Sequence, residues 1–296
     1  MGDLKFWRIL RVLTTNTCNY DCTFCHNEGQ ERKQIKKQLL KFNDYRVILD
    51  SFIDSQLQEV QFSGGEPFIN SDLLKMILYT NDKTSLDIGC ATNASFLNED
   101  IVKQLSKTRI KLNIQFPSIE RVEFKRITKT GEFDLIMDTL HLLKRYKVDF
   151  GINHVVTQSN WEHVFSTINF ALIHEIPLKL LPDLSDKNII NRKNEVLRYL
   201  DSISVKRIDK GTGAIKWWVR SSNFQETQVI YIDSPCFYLD FNLCKNFAEI
   251  RLLPNKKLQS CIKKGVITEL DFEINEKNRV LIRNKFQEAW NSFISC

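Results

Sequence analysis

Along the first 180 residues, short runs of apolar or alternating apolar and polar positions are separated by stretches in which apolar residues return every three or four positions. The runs predict strands and the intervening stretches predict helices. Strands are expected at Ile9–Thr14, Glu59–Ser63, Leu86–Ala91, 109–116, 148–157 and 178–181. Helices are expected at Asp44–Ser55, at Asp72–Tyr79 with Ser71 as its N-cap, and at 98–106, 132–146 and 160–174. Six strands alternating with helices imply βαβ units and a parallel sheet. In such sheets the chemistry sits on loops at the carboxyl ends of the strands. After about residue 185 the alternation stops. A bridging helix is expected at 187–200, then a hairpin of Val205–Asp209 and Ile215–Val219 around Gly211-Thr212-Gly213. Short strands at Val229–Ile232, Glu249–Leu253 and Lys257–Cys261 and a last helix at 276–291 complete the pattern.

Composition changes this picture little. At 296 residues the chain is near the upper size for one hydrophobic core, so one large unit with an appendage is expected. The amino terminus has no apolar signal core, and nothing approaches ~18 apolar residues in a row. The expectation is a cytoplasmic protein with no membrane partner. The net charge of +6 hints weakly at an anionic partner, and a solubilising surface charge explains it as well. No nucleic-acid partner is expected. Eight cysteines in a cytoplasmic chain point to metal or redox chemistry more than to disulfides.

Three of those thiols fall within Cys18-Asn19-Tyr20-Asp21-Cys22-Thr23-Phe24-Cys25-His26. A structural zinc site normally takes four protein ligands, which here would require His26 as the fourth. Three thiolates alone suit a four-iron cluster with one iron left open to a chelating small molecule. The strand at Glu59–Ser63 runs into Gly64-Gly65-Glu66-Pro67, and the strand at Leu86–Ala91 leads to Thr92-Asn93. Both turns therefore fall at strand ends, as the cysteine loop does. Cys90, inside an apolar strand, reads as a small buried hydrophobe, and Trp217-Trp218 reads as packing.

The Cys-x3-Cys-x2-Cys motif with Phe24 before its last cysteine, followed by Ser63-Gly64-Gly65-Glu66-Pro67, resembles the radical S-adenosylmethionine (SAM) superfamily. Within it, several segments resemble the GTP 3′,8-cyclases that make the molybdenum-cofactor precursor. These are Leu10-Arg11-Val12, Cys25-His26-Asn27-Glu28-Gly29, Phe124-Lys125-Arg126-Ile127-Thr128, Gly151-Ile152-Asn153-His154-Val155-Val156 and the run from Ile250 to Cys261. Together they span roughly residues 8–262. The resemblance implies an α/β fold, a partial (β/α)6 TIM barrel over 1–184, with a twitch-like auxiliary-cluster extension over 185–296.

It also implies a division of labour among residues. Cys18, Cys22 and Cys25 would hold a [4Fe-4S] cluster whose open iron binds SAM, and reduction would release a 5′-deoxyadenosyl radical. Phe24, Gly64, Gly65, Glu66, Thr92, Asn93, Gln115 and Leu184 would contact SAM, with Gln115 standing where serine is usual. Cys236, Cys244 and Cys261 would hold a second, auxiliary [4Fe-4S] cluster facing the first across the barrel mouth. Cys296 would be its fourth ligand, a hydrogen-atom donor or a frayed end. An electron donor such as flavodoxin or ferredoxin is implied as partner. Arg11, Lys179 and Arg251 would line the substrate cavity and favour an anionic group.

The departures bear on the substrate. Basic positions before the Gly-Gly turn are Glu59 and Gln61 here, and another is Gly151. The chain ends in Ile294-Ser295-Cys296, where the cyclases carry a glycine tail. Glutamate repels phosphate, so the expectation is a relative acting on a peptide or small metabolite. GTP cyclisation is the alternative, and a non-catalytic iron–sulfur or zinc module the remote one. A peptide would be recognised at the barrel mouth or by a separate partner.

Overall fold

The computed structural model describes residues 7–30, 36–183, 187–211, 213–220, 225–233, 240–245, 248–262 and 267–294. Leu184, Cys236 and Cys296 lie outside them. Six parallel strands carry the alternation: β1 Ile9–Leu13, β2 Glu59–Ser63, β3 Asp87–Thr92, β4 Ile110–Gln115, β5 Asp149–Val156 and β6 Leu178–Pro182. Between and after them come α1 Phe42–Asp50, α2 Leu73–Lys83, α3 Glu99–Leu105, α4 Arg121–Thr128, α5 Phe133–Arg145 and α6 Val164–Ile173. The bridging helix α7 spans Lys187–Ile203.

The extension does not stand apart from this sheet. Its strands are β7 Ser204–Asp209, β8 Ala214–Arg220, β9 Glu226–Ile232, β10 Glu249–Leu252, β11 Lys257–Gln259 and β12 Ile267–Glu269. Its helices are α8 Phe241–Lys245, α9 Asp271–Asn275 and α10 Arg279–Ile294. The order across the single sheet is β12-β11-β10-β1-β2-β3-β4-β5-β6-β9-β8-β7. β10 pairs parallel to β1 and β9 parallel to β6, so eight adjacent strands run the same way. The expected six-unit partial barrel is thus lengthened at both edges by antiparallel hairpins.

Outward strand positions such as Leu10, Val12, Val60, Phe62, Leu112, Ile114 and Ile152 are fully buried beneath the helices. Inward positions are largely polar: Arg11, Glu59, Gln61, Asn113, Gln115, Asn153 and Lys179 line the lumen or its walls. A barrel interior is normally filled by branched apolar side chains. Here it is left polar and open, and the hydrophobic core is the shell between sheet and helices.

Several boundaries differ from expectation for local reasons. The N-cap of α2 is Asp72, not Ser71. Asn70 Oδ1 accepts from Asp72 N (3.0 Å), and Asp72 Oδ2 accepts from Phe42 N (3.1 Å), tying α1 to α2. Residues 158–163 form a tight 3-10 turn begun by a reciprocal Thr157/Asn160 cap, so α6 starts at Val164. Helix α4 was not expected as an element at all. No helix among the described residues is long and apolar enough to cross a membrane.

Candidate active site

The cysteine loop leaves the carboxyl end of β1 and is fixed by the Gly-Gly turn that leaves β2. Gly65 N donates to Thr15 O and Glu66 N to Thr17 O, both at 2.9 Å. A Cβ on Gly65 would stand 2.1 Å from Thr17 O and 2.8 Å from Cys18 N, so no other residue lets the two backbones meet. Gly64 has φ +135°, and its Cβ would stand 2.5 Å from Thr15 O. The glycines thus place the cysteines, whatever ligand follows.

Glu66 joins the turn to the end of β3. Its Oε1 accepts from Thr92 Oγ1 (2.7 Å) and Phe68 N (3.0 Å), and its Oε2 from Asn93 N (2.7 Å). The carboxyl is almost fully buried. Burial pushes its pKa up, and the three donors offset only part of that, leaving it at about 7. Asn93 Nδ2 donates to Asn19 Oδ1 (2.8 Å) and lies 3.9 Å from Cys18 Sγ. Three segments far apart along the chain therefore converge on one network.

They border a cavity of about 320 Å³ at the carboxyl ends of the strands. Cys18, Cys22 and Cys25 are free thiols on its rim, and Phe24, Val155, Leu181 and Ile232 supply apolar wall. Phe24 belongs to this wall and not to the packed core. Gln115 Nε2 and Asn153 Oδ1, neighbours across β4 and β5, are buried at the wall with no partner in the protein. A buried donor and acceptor left open side by side are costly unless a ligand engages them.

Among the described residues, no three His, Cys, Asp or Glu side chains converge tightly enough for a single metal ion. His26, the fourth ligand a zinc site would need, accepts from Glu28 N through Nδ1 (3.1 Å). The three thiols share one cavity rim, and thiolates are the usual ligands of an iron–sulfur cubane. Backbone N–H groups already aim at two sulfurs, Tyr20 N at Cys18 (3.4 Å) and Asn27 N at Cys25 (3.3 Å). Burial pushes the Cys18 thiol up to about 11 and the Cys22 thiol, also beside Cys18 and Cys25, to about 12. These thiols are protonated at neutral pH until a cationic group displaces the protons.

Below the cavity lies a second one of about 390 Å³, sharing Asn113 and Asn153 with the first. Lys179 lines this second cavity; Arg11 and Arg251 are held by carboxylates, although Arg11 Nε is buried without a partner. Arg11 Nη2 donates to Glu249 Oε2 (2.8 Å), and Arg251 donates to Glu28 Oε2 (2.8 Å) and Glu249 Oε1 (2.7 Å). Lys179 Nζ donates to Asn113 Oδ1 (3.2 Å), and burial beside Arg11 and Lys111 lowers its pKa to about 8.

Cys244 in α8 and Cys261 just past β11 are half-buried against the core. Cys244 lies four residues before Ala248, whose carbonyl receives Arg8 N and Ile9 N at the start of β1. β11 runs back antiparallel to β10, with Gln259 opposite Arg251, which carries Cys261 to the same end. Both thiols thus lie at the amino-terminal ends of the strands. From sequence, the auxiliary cysteines are expected to face the first cluster across the barrel mouth; this topology puts Cys244 and Cys261 at the strand ends opposite those that carry the Cys18 loop. Cys90 is fully buried in the sheet, and Trp217 is buried with Nε1 donating to Asp201 (2.7 Å), as the packing readings expected.

Helix α4 is the functional element that sequence reasoning missed. Thr128 O accepts from Asp21 N (3.3 Å) and Ile127 O from Thr23 N (3.1 Å), so its last carbonyls hold the cysteine loop. Thr130 Oγ1 adds a bond to Asn19 O (2.8 Å). The signal was present in Phe124–Thr128, which carried the family resemblance but was not assigned a structural role.

The family model of the radical SAM superfamily matches residues 12–171. A probable GTP 3′,8-cyclase of Sulfurisphaera tokodaii is 28% identical over 292 residues, covering 95% of this chain and 91% of its relative. An uncharacterised protein of Methanocaldococcus jannaschii is 26% identical over 295 residues, with 92% and 90% covered. Among solved structures, Streptococcus suis SuiB bound to S-adenosylmethionine superposes with a TM-score of 0.68 at 14% identity over 93% of this chain. The chain spans 65% of that protein's length. At this identity the likeness speaks for the fold.

Proposed function

The chain belongs to the radical SAM superfamily, and from that premise we propose that it cleaves SAM reductively at a [4Fe-4S] cluster held by Cys18, Cys22 and Cys25. The radical then abstracts hydrogen from a peptide or small-metabolite substrate held in the lumen. The observation that carries the reading is the convergence of the cysteine loop, the Gly64-Gly65-Glu66 turn and Thr92-Asn93 on one cavity with unpartnered polar atoms in its wall. When bound, the cluster supplies an electron to the sulfonium of SAM, which breaks to methionine and a 5′-deoxyadenosyl radical. The reductant is a flavodoxin- or ferredoxin-like donor.

The chain's own residues do the rest. Gly64 and Gly65 let backbone approach the bound cofactor. Glu66 orders Thr92 and Asn93 beside it, and Gln115 and Asn153 offer a donor and an acceptor to its ribose or to the substrate. Phe24, Leu181 and Ile232 exclude water that would quench or divert a reactive intermediate. In this reading residues 1–184 carry the SAM site, and 185–296 bring Cys236, Cys244 and Cys261 to an auxiliary four-iron cluster. Arg11, Lys179 and Arg251 face the substrate.

GTP cyclisation is the second reading, favoured by the naming of relatives such as that of S. tokodaii as probable GTP 3′,8-cyclases. Anaerobic reconstitution, reduction with SAM and mass spectrometry test both. Wild type should form 5′-deoxyadenosine, and the Cys18→Ala/Cys22→Ala/Cys25→Ala variant should form none. Cleavage persisting in that variant would refute the cluster assignment. Consumption of GTP with SAM would favour the second reading.

A further inference from the structure

Arg11 on β1 and Arg251 on β10 stand opposite each other in register across a parallel strand pair. Two guanidiniums so placed repel each other and, if free, would form a clamp for a phosphate chain. In this chain carboxylates occupy both arginines, leaving only Arg11 Nε without a partner. Glu249 sits two residues before Arg251 and therefore on the same face of β10. It bonds both arginines, one through each oxygen, at 2.8 and 2.7 Å. Glu28, from the turn that follows the cysteine loop, takes Arg251 Nη1 through Oε2 (2.8 Å) and Ser63 Oγ through Oε1 (2.9 Å). Glu59 adds a third carboxylate that acts on both Arg11 and Lys179. The two arginines are thereby ion-paired, while Lys179 bonds only the neutral Asn113 Oδ1 and stands beside Arg11 and Lys111.

The match is hard to undo. The Glu28 and Glu249 side chains are 19% and 16% exposed, and Arg251 is 13% exposed. Swinging Glu249 away leaves the Arg11 guanidinium without its ion-pair partner, and swinging Glu28 away leaves Arg251 with Glu249 alone, each unfavourable in a largely buried site. Leaving it in place sets a carboxylate against any incoming phosphate. Neither route suits a triphosphate.

We propose that Glu249 and Glu28 are specificity-determining residues: by occupying the arginines, they fit the lumen to a neutral or zwitterionic group and close it to polyphosphates. This rests on the reading that the lumen receives the substrate, and it separates the chain's substrate class from that of a nucleoside triphosphate cyclase.

The test is direct binding, independent of turnover. Inorganic tripolyphosphate and GTP are titrated calorimetrically at low salt into wild type, Glu249→Gln and Glu28→Gln, and Tm is measured with and without tripolyphosphate. Wild type should show no saturable binding up to millimolar ligand. Glu249→Gln should gain affinity roughly tenfold or more, with a Tm that rises when tripolyphosphate is added. Glu28→Gln should show a smaller gain, and it serves alone if Glu249→Gln fails to fold. A merely structural role for these carboxylates would lower Tm without creating any anion dependence. Saturable micromolar binding by wild type would overturn the proposal, as would the absence of a gain in every folded variant. Formation of 5′-deoxyadenosine by the same wild-type sample reports on the proposed function separately, so the two ideas fail by different readouts.

Discussion

At the residue scale, what could be read in the sequence is what a local rule demands. The three cysteines are legible by count and spacing. Gly64 and Gly65 are legible because a backbone contact with no room for Cβ leaves only glycine. Arg11 and Arg251 are legible as basic positions, but their neutralisation is not, because Glu249 lies 238 residues from Arg11 and Glu28 lies 223 from Arg251. No local pattern encodes a pairing made across a barrel lumen. Glu28 gives this network a pH signature. Burial alone would push its carboxyl up, yet Arg11 and Arg251 outweigh that and hold its pKa at about 2, against 4.5 in the unfolded chain. A carboxyl whose folded pKa is depressed binds fewer protons folded than unfolded between those values. Its stabilisation is therefore complete above about pH 4.5 and is lost as pH falls toward 2. The contribution is of the order of 3 kcal/mol. Urea unfolding of wild type and Glu28→Gln across that window should show the variant's acid loss shallower by a comparable amount. Parallel profiles would mean that Glu28 is not coupled to the arginines.

At the scale of elements, the strands and the long amphipathic helices were legible because their periodicities are strong, and the six βα units were found in order. Helix α4 was not, and the reason is physical. It is eight residues long and charged along its exposed side, with only Phe124, Ile127 and Thr128 buried. Its value lies in where its last carbonyls point. Gly131 closes the segment against the loop: a Cβ there would stand 2.6 Å from Thr128 Oγ1 and 2.9 Å from both Phe124 and the Tyr20 ring. Gly131→Ala should therefore push Tyr20 and the cysteine loop without altering any thiol. We expect a loss of about 1–3 kcal/mol in stability, as for overpacking elsewhere. Iron uptake on reconstitution should fall with it. Wild-type iron content in a destabilised variant would show that α4 supports the fold but does not position the loop.

At the scale of the whole molecule, the sequence supported a barrel followed by an appendage, whereas the extension completes the barrel's own sheet. Short strands joining a distant edge carry no mark of their partner, so β9 beside β6 and β10 beside β1 could not be anticipated. The same topology sends Cys244 and Cys261 to the end of the lumen opposite Cys18, Cys22 and Cys25. If Cys236, Cys244 and Cys261 hold a second four-iron cluster, the lumen becomes a chamber with a redox group at each end, and the substrate lies between them. The two ends are covalently independent, since their ligands come from segments more than 200 residues apart. Removing one cluster should therefore leave the other. The Cys18→Ala/Cys22→Ala/Cys25→Ala variant, reconstituted anaerobically, should retain about four irons per chain and the absorption of a cubane, while wild type holds about eight. Combining it with Cys244→Ala and Cys261→Ala should remove the remainder. A triple variant that is metal-free, or that holds zinc, would refute the auxiliary cluster. The extension would then have only a structural part, sealing the strand-start end of a one-cluster barrel with β10, β11 and α10.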